Sequence, residues 1–538
     1  MSTSVTRTVL RGGYVHSPAS PHATAVCVED GVVVWVGDDD AAAHFVDNAD
    51  RVVELDGRLV TPAFVDAHVH LAQTGLALDG VDLTGAATRE EALDAVAAAA
   101  RRTDLAIVLG FGWDETSWPD DRPLTREELD RAADGRPVYL ARVDEHSASV
   151  NTAFLEASDG LERTDGFRPD GLLAREAHHR ARDTVFRIVP RAQREEAIRA
   201  ALELAARRGL GMVHELGAPY LSLPTDLATC RALAAERPLP EVVGYWGRLD
   251  GVEEARELGC AGAAGDLCVD GSIGSRTSAL HAPYVDASSA GHLYLDAAQI
   301  AGHVVACTNA GLQAGFHVIG DRGVAAVVDG FCRAAQQVGK GAMVAGRHRL
   351  EHLEMIGPAQ MQVLAELGVT ASVQPMFDQL WGGPDSLYAQ RLGVERAMPM
   401  NPYASLGRSG IALAFGSDTP VTRFDPWGAV RAAAWHSNPE ERITVRAGFS
   451  AHTRGGWRAA GRDDGGVLVP GAPASLAVWD VPGDLVVQTP DERVAAWSTD
   501  PRAGVPHLPD LRPDLDLPTC VLTMVRGQVA FEETGALT

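Results

Sequence analysis

The sequence predicts an α/β protein built on a parallel sheet, with β-rich segments at both ends of the chain. Between about residues 61 and 464, helix-like segments that stop at glycine alternate with strand-like ones, as in QREEAIRAALELAARRGLG followed by MVHELG, and AGHVVACTNAGLQ followed by AGFHVIGD. Repeated αβ units of this kind imply a parallel sheet. From this pattern the sheet is either open or closed as a barrel.

The two termini have a different pattern. Residues 7–60 contain short strand-like runs separated by turn residues, such as AVCVEDGVVVWVG, and the tail repeats it in GVLVPGAPASLAVWD and TCVLTMVRGQVAFEE. Such runs are typical of β-structure. A chain of 538 residues is too long for one simple core, so two domains or a barrel with additions is expected.

The composition of the chain limits which classes of partner and compartment are expected. Asp and Glu outnumber Lys and Arg by 72 to 47, and the net charge of −25 repels nucleic acid and anionic membranes. The first twenty residues lack the apolar run of a signal peptide, and seven scattered cysteines without a CxxC pair favour reduced thiols. We therefore expect a cytoplasmic protein that binds a small-molecule substrate, without a nucleic-acid or membrane partner, and with a homodimer as a possible assembly.

Histidine and aspartate residues recur at the ends of strand-like segments. FVDAHVH places His68 and His70 on one strand face, FHVIGD carries His317, HRLEHLE carries His352, and LAFGSD ends in Asp418. In a βα barrel the site lies at the carboxyl ends of the strands, where these side chains would converge. A single His near a strand end is usually a hydrogen-bonded structural residue, but recurrence at equivalent places favours a metal site. Neutral imidazoles and a carboxylate suit Zn²⁺ and similar divalent ions.

Longer motifs carry a family resemblance. VTPAFVDAHVHL, FHVIGDRGV, HRLEHLEMI, SVQP and LAFGSDTPVTRFDP resemble the metal-dependent amidohydrolase superfamily. GFGWDETSW, PVYLARVDEHSASVN, DGLLAREA and DGSIGSRT are similar to one branch of it, typified by N-substituted formamide deformylase. The resemblance covers almost the whole chain. It implies a (β/α)8 TIM barrel with an insertion that covers the mouth, beside a small β-sandwich formed by both termini.

The resemblance also implies where these units begin and end. Residues 1–60 and 465–538 are expected to form the sandwich and residues 61–464 the barrel, with the insertion over about 76–190. Counting back from Asp418 on strand 8 gives SVQP as strand 7, RLEH as strand 6, FHVI as strand 5 and DLCVDG as strand 4. MVHELG and EVVGYWG then serve as strands 2 and 3.

The chemistry that the resemblance implies is hydrolysis of an amide-like C–N bond by metal-activated water. Asp418 then takes the proton from that water and passes it to the departing nitrogen. His352 is either a further metal ligand or a donor to the oxyanion. Two alternatives stay open: a cyclic-amide hydrolase or deaminase of the same superfamily, and a catalytically silent binding protein on this scaffold.

Four residues are candidate substrate contacts: His146, Glu176, Arg276 and Trp113. The first two match family positions on the insertion, the arginine suits a carboxylate or carbonyl, and the tryptophan suits an apolar wall for a bulky N-substituent. Trp118 and Trp381 are expected near the mouth for the same reason. The two histidines at 178–179 are expected on a helix surface.

Strand 4 departs from the superfamily pattern. Members commonly supply a lysine there whose carbamate bridges two metals, whereas this chain has Asp266 at that position and its only lysine, Lys340, at the opposite end of the barrel. Asp266 lies too low on its strand to bridge unless the strand bulges, so it is expected to hydrogen-bond beneath the site. Cys268 lies closer to the strand end and is a plausible metal ligand.

The expected centre is therefore one tightly bound divalent metal, preferably Zn²⁺, on His68, His70, His317 and Asp418. A second ion is possible if Cys268 recruits one.

Overall fold

Eight parallel strands form the central sheet of the computed structural model, which describes residues 6–102, 106–488, 497–498 and 505–537. Each strand pairs with the next along the chain, and a bridge between Val69 and Thr419 joins the first strand to the last. The sheet therefore closes as the predicted (β/α)8 barrel. Barrel strands 1 to 8 are, in chain order, Phe64–Val69, Leu210–Gly217, Glu241–Trp246, Gly262–Ala263, Gln313–Val318, Arg349–His352, Thr370–Val373 and Ala412–Phe415.

Helices cover the outside of the barrel and pack against it through a continuous apolar core that includes Val304, Phe316 and Val327. The predicted glycine stop is confirmed at Gly311, whose φ of +69° ends the helix Ala297–Ala310 in a left-handed turn that favours glycine. The helices of the barrel region are Leu71–Asp79, Arg191–Arg207, Pro224–Glu236, Val252–Glu257, Ala297–Ala310, Asp321–Val338, Lys340–Gly346, Pro358–Glu366, Pro375–Trp381, Leu387–Leu392, Val394–Ala397, Tyr403–Arg408, Pro426–Ala434, Val445–Ser450 and Gly456–Ala459.

Barrel strand 4 is shorter than the sequence predicts. Only Gly262–Ala263 is regular strand, and pairing with barrel strand 5 resumes at the bridge between Cys268 and His317. The predicted strand DLCVDG is therefore mostly irregular, because the chain bends at Gly265, which has a φ of +95°. This bend changes where Asp266 lies.

The chain between barrel strands 1 and 2 forms a separate layer at the carboxyl ends of the barrel strands. Its sheet has the strand order Leu172–Ala174, Ser147–Val150, Val138–Arg142, Val108–Trp113 and Val81–Asp82. Its helices are Arg89–Ala100, Arg126–Ala133, Thr152–Glu156 and Arg175–Ile188. Because this layer has an apolar cluster of its own, around Trp113 and Leu140, it is a folded unit rather than a loop.

Strands from both termini form the β-sandwich. One sheet has the order Val32–Gly37, Ala25–Glu29, Arg7–Arg11 and Arg51–Glu54, and the other has the order Tyr14–Val15, Leu59–Pro62, Leu476–Asp480, Thr519–Val525 and Gln528–Glu532. Val26 and Val53 of the first sheet share an apolar core with Val478 and Leu522 of the second. The sandwich is thus built from segments more than 400 residues apart in the sequence.

The terminal region also contains three short strands and one helix: Leu485–Gln488, Trp497–Ser498, Leu508–Pro509 and the helix Asp39–Val46. In the part of the chain that the structure describes, no helix is long and apolar enough to cross a membrane.

Candidate metal centre

Histidines and carboxylates from five barrel strands converge at the carboxyl end of the barrel. His68 Nε2 and His70 Nε2 each lie 3.2 Å from Asp418 Oδ1. The backbone brings them there, because Asp418 donates its N–H to the carbonyl of His68 at 2.8 Å. His352 and Asp418 have φ values of +68° and +58°, a conformation that is strained for side chains with a Cβ and is common at functional sites.

Asp266 is a member of this cluster, and the prediction that it lies beneath the site is wrong. Its Oδ2 is 3.1 Å from His70 Nε2, and its Oδ1 is 3.4 Å from His68 Nε2 and 3.8 Å from His317 Nδ1. The bend at Gly265 moves the side chain from the strand face into the centre. A bulge in strand 4 is the one exception that the sequence analysis allowed, but the sequence did not indicate where the bulge lies.

The donor atoms form two groups that share Asp266. One group holds His68, His70, Asp266 and Asp418, and the other holds Asp266, His317 and His352; within each group the donor atoms lie within 4.8 Å of one another. His317, which was expected to join the first group, lies with His352 in the second. The ring centroids of these two histidines are 4.4 Å apart.

Several of these donor atoms have no hydrogen-bond partner although they are buried. They are His68 Nε2, Asp266 Oδ1, His352 Nε2 and Asp418 Oδ1. Unpaired buried polar atoms are costly, and imidazole nitrogens and carboxylate oxygens are ligands for divalent metals. The residues present therefore fit a divalent ion.

The electrostatics of the centre favour a cation. Burial alone lowers the pKa of His70, but the carboxylates of Asp266 and Asp418 outweigh it and raise that pKa to about 9. The pKa of His68 is raised for the same reason. Burial alone raises the pKa of Asp418, yet the neighbouring histidines hold it well below its usual range. The two carboxylates are thus ionised and stabilise positive charge between them.

Neighbouring side chains orient the imidazoles. His352 donates from Nδ1 to Gln374 Oε1 at 2.8 Å, which leaves the lone pair of Nε2 facing the centre. Burial lowers the pKa of His352 to about 3, so the ring is neutral. Metal-binding imidazoles need this arrangement.

Cys268 lines the cavity beside the centre but belongs to neither donor group. Its Sγ donates to the carbonyl of Asp266 at 3.6 Å. Burial raises the pKa of the thiol, so Cys268 is protonated in this environment. A ligand role for Cys268 would require loss of that proton.

The insertion supplies part of the cavity wall. Asp144, Glu145 and His146 follow the strand Val138–Arg142, and His179 and Arg182 come from the helix Arg175–Ile188. The His146 ring lies 4.9 Å from that of His317 and lines the cavity, and its role as a substrate contact stays a prediction. His179 is not on a free surface as predicted, because its ring stacks on Tyr220 at 4.2 Å.

The prediction that His178 lies on a helix surface is also wrong. His178 is buried, and its Nε2 lies 2.8 Å from the hydroxyl of Tyr139. The spacing of His179 and Arg182, three residues apart in a helix, was the available signal that one face of this helix meets the cavity.

Three predicted substrate contacts lie outside the cavity. Glu176 is exposed and pairs with Arg180 at 3.2 Å, because it lies on the solvent side of its helix. Arg276 binds a carboxylate, as its chemistry suggested, but the partner is Asp286 at 2.7 Å. Trp113 is fully buried in the core of the insertion, where its Nε1 donates to a backbone carbonyl.

Trp118 lies in that same insertion core rather than at the mouth. Trp381 does line the cavity. It forms an apolar side of the cavity with Ile273, Phe377 and Leu387. The cavity thus has an apolar side and a polar side, and His317 and Asp418 line both.

Comparison with known proteins places this site in a family. The chain matches the amidohydrolase family over residues 51–531. It is 27% identical over 519 residues to the protein LONG AFTER FAR-RED 3 of Arabidopsis thaliana, covering 86% of this chain and 85% of that protein. It is 22% identical over 500 residues to N-substituted formamide deformylase of Arthrobacter pascens, covering 85% of this chain and 90% of the relative.

Among solved structures, an uncharacterized metal-dependent hydrolase from Pyrococcus furiosus is similar with a TM-score of 0.69 at 26% identity, covering 88% of this chain and 98% of the other. The family match spans most of the sequence and contains all the donor residues described above. This chain belongs to the amidohydrolase family.

Proposed function

We propose that this chain is a metal-dependent hydrolase that cleaves the C–N bond of an amide-like small molecule, such as an N-substituted formamide or a related N-acyl compound. The observation that carries the proposal is the convergence of His68, His70, Asp266 and Asp418, whose buried donor atoms lack partners. Similarity to N-substituted formamide deformylase supports the choice of bond. Because imidazoles and carboxylates are mixed in the ligand set, Zn²⁺ is the preferred ion.

His68, His70, Asp266 and Asp418 would hold the divalent ion, which when bound would supply Lewis-acid polarisation of the substrate carbonyl and lower the pKa of water near it. Asp418 accepts a proton from the attacking water, because its carboxylate lies among the donor atoms that face the centre. Asp418 then delivers that proton to the departing nitrogen, which leaves as a neutral amine. The reaction consumes one water and releases an acid and an amine.

His352 is a candidate ligand of the second donor group rather than a proton donor. Its Nδ1–H is committed to Gln374, so Nε2 carries a lone pair and no proton to offer an oxyanion. The neutral state of the ring agrees with this assignment. His146 lies beside His317 in the cavity wall and is the candidate for contacting the substrate carbonyl.

The two walls of the cavity suit a substrate with unequal substituents. The apolar side, with Phe377 and Trp381, accepts the hydrocarbon part of the amide. The polar side, with Arg182 and His179, accepts the compact polar part. A small acyl group and a larger N-substituent fit this division.

A substrate panel tests the proposal. The purified enzyme, loaded with Zn²⁺, is incubated with N-substituted formamides, other N-acyl amines, cyclic amides and amino-heterocycles, and the products are assayed as formate, other acids, ring-opened acids or ammonia. We expect acid and amine in equal amounts from a formamide or N-acyl amine, and none from Asp418→Asn. Ring opening alone would support the cyclic-amide hydrolase instead, and ammonia release alone would support the deaminase. A chain that binds no metal and turns over no substrate would be a silent binding protein.

A further inference from the structure

We propose that Tyr220 is a positioning residue that holds Asp266 in the metal centre, and that the insertion supports Tyr220 through His179. The inference rests on the proposed function in one respect, since it takes Asp266 as a metal ligand. It assigns to the insertion a role in building the centre in addition to lining the cavity. Neither residue touches a donor atom of the two metal groups, so both act through the backbone that carries Asp266.

The segment that carries Asp266 lacks the support that a regular strand would give it. Between the pairs Ala263–Ala314 and Cys268–His317, the four residues 264–267 of strand 4 lie opposite the two residues 315–316 of barrel strand 5. A bulge of this kind leaves backbone groups outside the hydrogen-bond ladder. Those groups need other partners when they are buried.

The hydroxyl of Tyr220 supplies two of the missing partners. It donates to the carbonyl of Asp266, and it accepts the N–H of Cys268 at 3.3 Å. One hydroxyl thus holds the backbone on either side of Leu267, at the C-terminal end of the bulge. Tyr220 follows barrel strand 2, which ends at Gly217, so this contact reaches across the intervening strand 3.

The residue after barrel strand 3 also packs against the bulge. A Cβ placed on Gly247, just after this strand, would lie 2.8 Å from the N of Leu267 and 3.0 Å from the backbone C of Asp266. The bulge therefore packs directly on a glycine. The Tyr220 hydroxyl holds it in this position through its hydrogen bonds to Asp266 and Cys268.

The ring of Tyr220 is held in turn by the insertion. The His179 ring stacks on it with centroids 4.2 Å apart and an angle of 15° between the planes. His179 comes from the helix Arg175–Ile188, which belongs to the insertion and not to the barrel. A continuous set of contacts therefore runs from the insertion through His179 and Tyr220 to Asp266.

Metal affinity measured without substrate tests the proposal. Metal-free protein is titrated with Co²⁺ in competition with a chromophoric chelator, and the visible absorption of bound Co²⁺ reports the coordination geometry. We expect Tyr220→Phe to weaken Co²⁺ binding by about 10- to 100-fold, the usual effect of losing a group that orients a ligand, and to change the absorption spectrum. Tyr284→Phe is the matched control, because its buried hydroxyl also donates to a backbone carbonyl, that of Ser278, and lies outside both donor groups. The control should bind Co²⁺ as the unaltered chain does.

Two further comparisons separate positioning from general loss of structure. His179→Ala should weaken Co²⁺ binding in the same direction, whereas His179→Phe, which keeps an aromatic ring for stacking, should restore it. In an Asp266→Asn background, Tyr220→Phe should cause little additional loss, because both changes act on the same ligand.

Unchanged Co²⁺ affinity and spectrum in Tyr220→Phe would overturn the inference, as would a full additional loss in the Asp266→Asn background. A higher KM in Tyr220→Phe with unchanged metal affinity would also overturn it, since Tyr220 would then contact substrate. These outcomes leave the proposed function intact. Failure of the unaltered chain to bind any ion would overturn both.

Discussion

Glu351 Oε2 lies 3.0 Å from His68 Nδ1, and both side chains are completely buried. Arg349 donates to the two oxygens of the same carboxylate at 2.6 and 3.0 Å. Burial alone raises the pKa of Glu351, but Arg349 outweighs it and lowers the pKa to about 2. An ionised Glu351 accepts the Nδ1–H of His68, so Nε2 is the nitrogen that can bind an ion between Asp266 and Asp418. A buried Arg–Glu pair thus fixes the tautomer of a metal ligand.

Glu351→Gln should therefore weaken metal binding. The substitution keeps the shape of the side chain but removes the charge that holds the His68 proton, and it leaves the buried Arg349 charge without its partner. We expect the metal affinity to fall by about 10- to 100-fold, measured by chelator competition. Glu441→Gln is the matched control, because this buried carboxylate binds Ser405 and lies outside both donor groups. An unaltered metal affinity in Glu351→Gln would show that the Arg349–Glu351 pair does not orient His68 for metal binding.

Asp418→Asn should abolish turnover while leaving substrate binding largely intact. An amide cannot accept the proton of the attacking water, and general acid–base groups typically contribute about 10²–10⁴-fold to the rate. The measurement is kcat and KM on the amide that the substrate panel identifies. Asp425→Asn serves as the control, because an Asn can still cap the helix Pro426–Ala434 there. A kcat within a few-fold of the unaltered enzyme would exclude Asp418 as the proton shuttle.

The barrel and most of the centre were predictable because both depend on local patterns. Helix, glycine stop and strand repeat along the chain, and His68, His70, His317, His352 and Asp418 occupy the strand ends that such a repeat defines. A barrel brings strand ends together whatever the details of packing. The convergence of these five side chains therefore follows from the repeat itself.

The position of Asp266 was not predictable in this way. A period of two residues assigns a side chain to one face of a strand, but it assumes that the strand continues without a bulge. The bulge depends on the positive φ of Gly265 and on the room left by Gly247, which follows barrel strand 3. Glycine in the sequence indicates such freedom without saying whether it is used.

The insertion was the least predictable part for a similar reason. Whether Glu176 or His179 faces the cavity depends on how their helix is oriented against the barrel, and the sequence of the helix alone fixes only which residues share a face. Trp113 was expected at the mouth but fills the core of the insertion, because this unit has an apolar interior of its own to complete. Because the insertion has an apolar core separate from that of the barrel, Trp113 and Trp118 pack inside the insertion.

Acid should destabilise the protein partly through His452. Its Nδ1 lies 2.8 Å from the carbonyl of Val65, and burial lowers its pKa to about 4 from an ordinary value of 6.5. Between these two pH values the unfolded chain binds a proton that the folded chain does not, so stability falls as the pH decreases from 6.5 towards 4. The loss from this one group is on the order of 3 kcal/mol. Above pH 6.5 it contributes no pH dependence.

His452→Asn isolates this effect, since the Asn amide can still donate to Val65 but does not titrate. We expect a smaller decrease of Tm between pH 6.5 and 4, measured in the presence of chelator so that metal release does not add to it. An equal slope in His452→Asn and the unaltered chain would show that the imidazole stays neutral in both states or titrates in both.

The last prediction concerns how many ions the centre holds. The first donor group offers two imidazoles and two carboxylates, which complete a four-ligand site, whereas the second offers two imidazoles and shares Asp266. We therefore expect one tightly bound ion in freshly purified protein and a second, weaker one only after addition of Zn²⁺ or Mn²⁺. Because the only lysine, Lys340, pairs with Glu366 in an exposed ion pair, activity should not depend on bicarbonate.

Variants distinguish the two positions by elemental analysis. His68→Ala should lose the tight ion and His317→Ala only the added one, whereas Asp266→Ala should weaken both, because its carboxylate belongs to both groups. Cys268→Ala should lose neither, since its protonated thiol lies outside both groups. Two equally tight ions in the purified enzyme would contradict the ranking of the sites. Loss of an ion in Cys268→Ala would show instead that the thiol gives up its proton to a metal, and that strand 4 supplies two ligands.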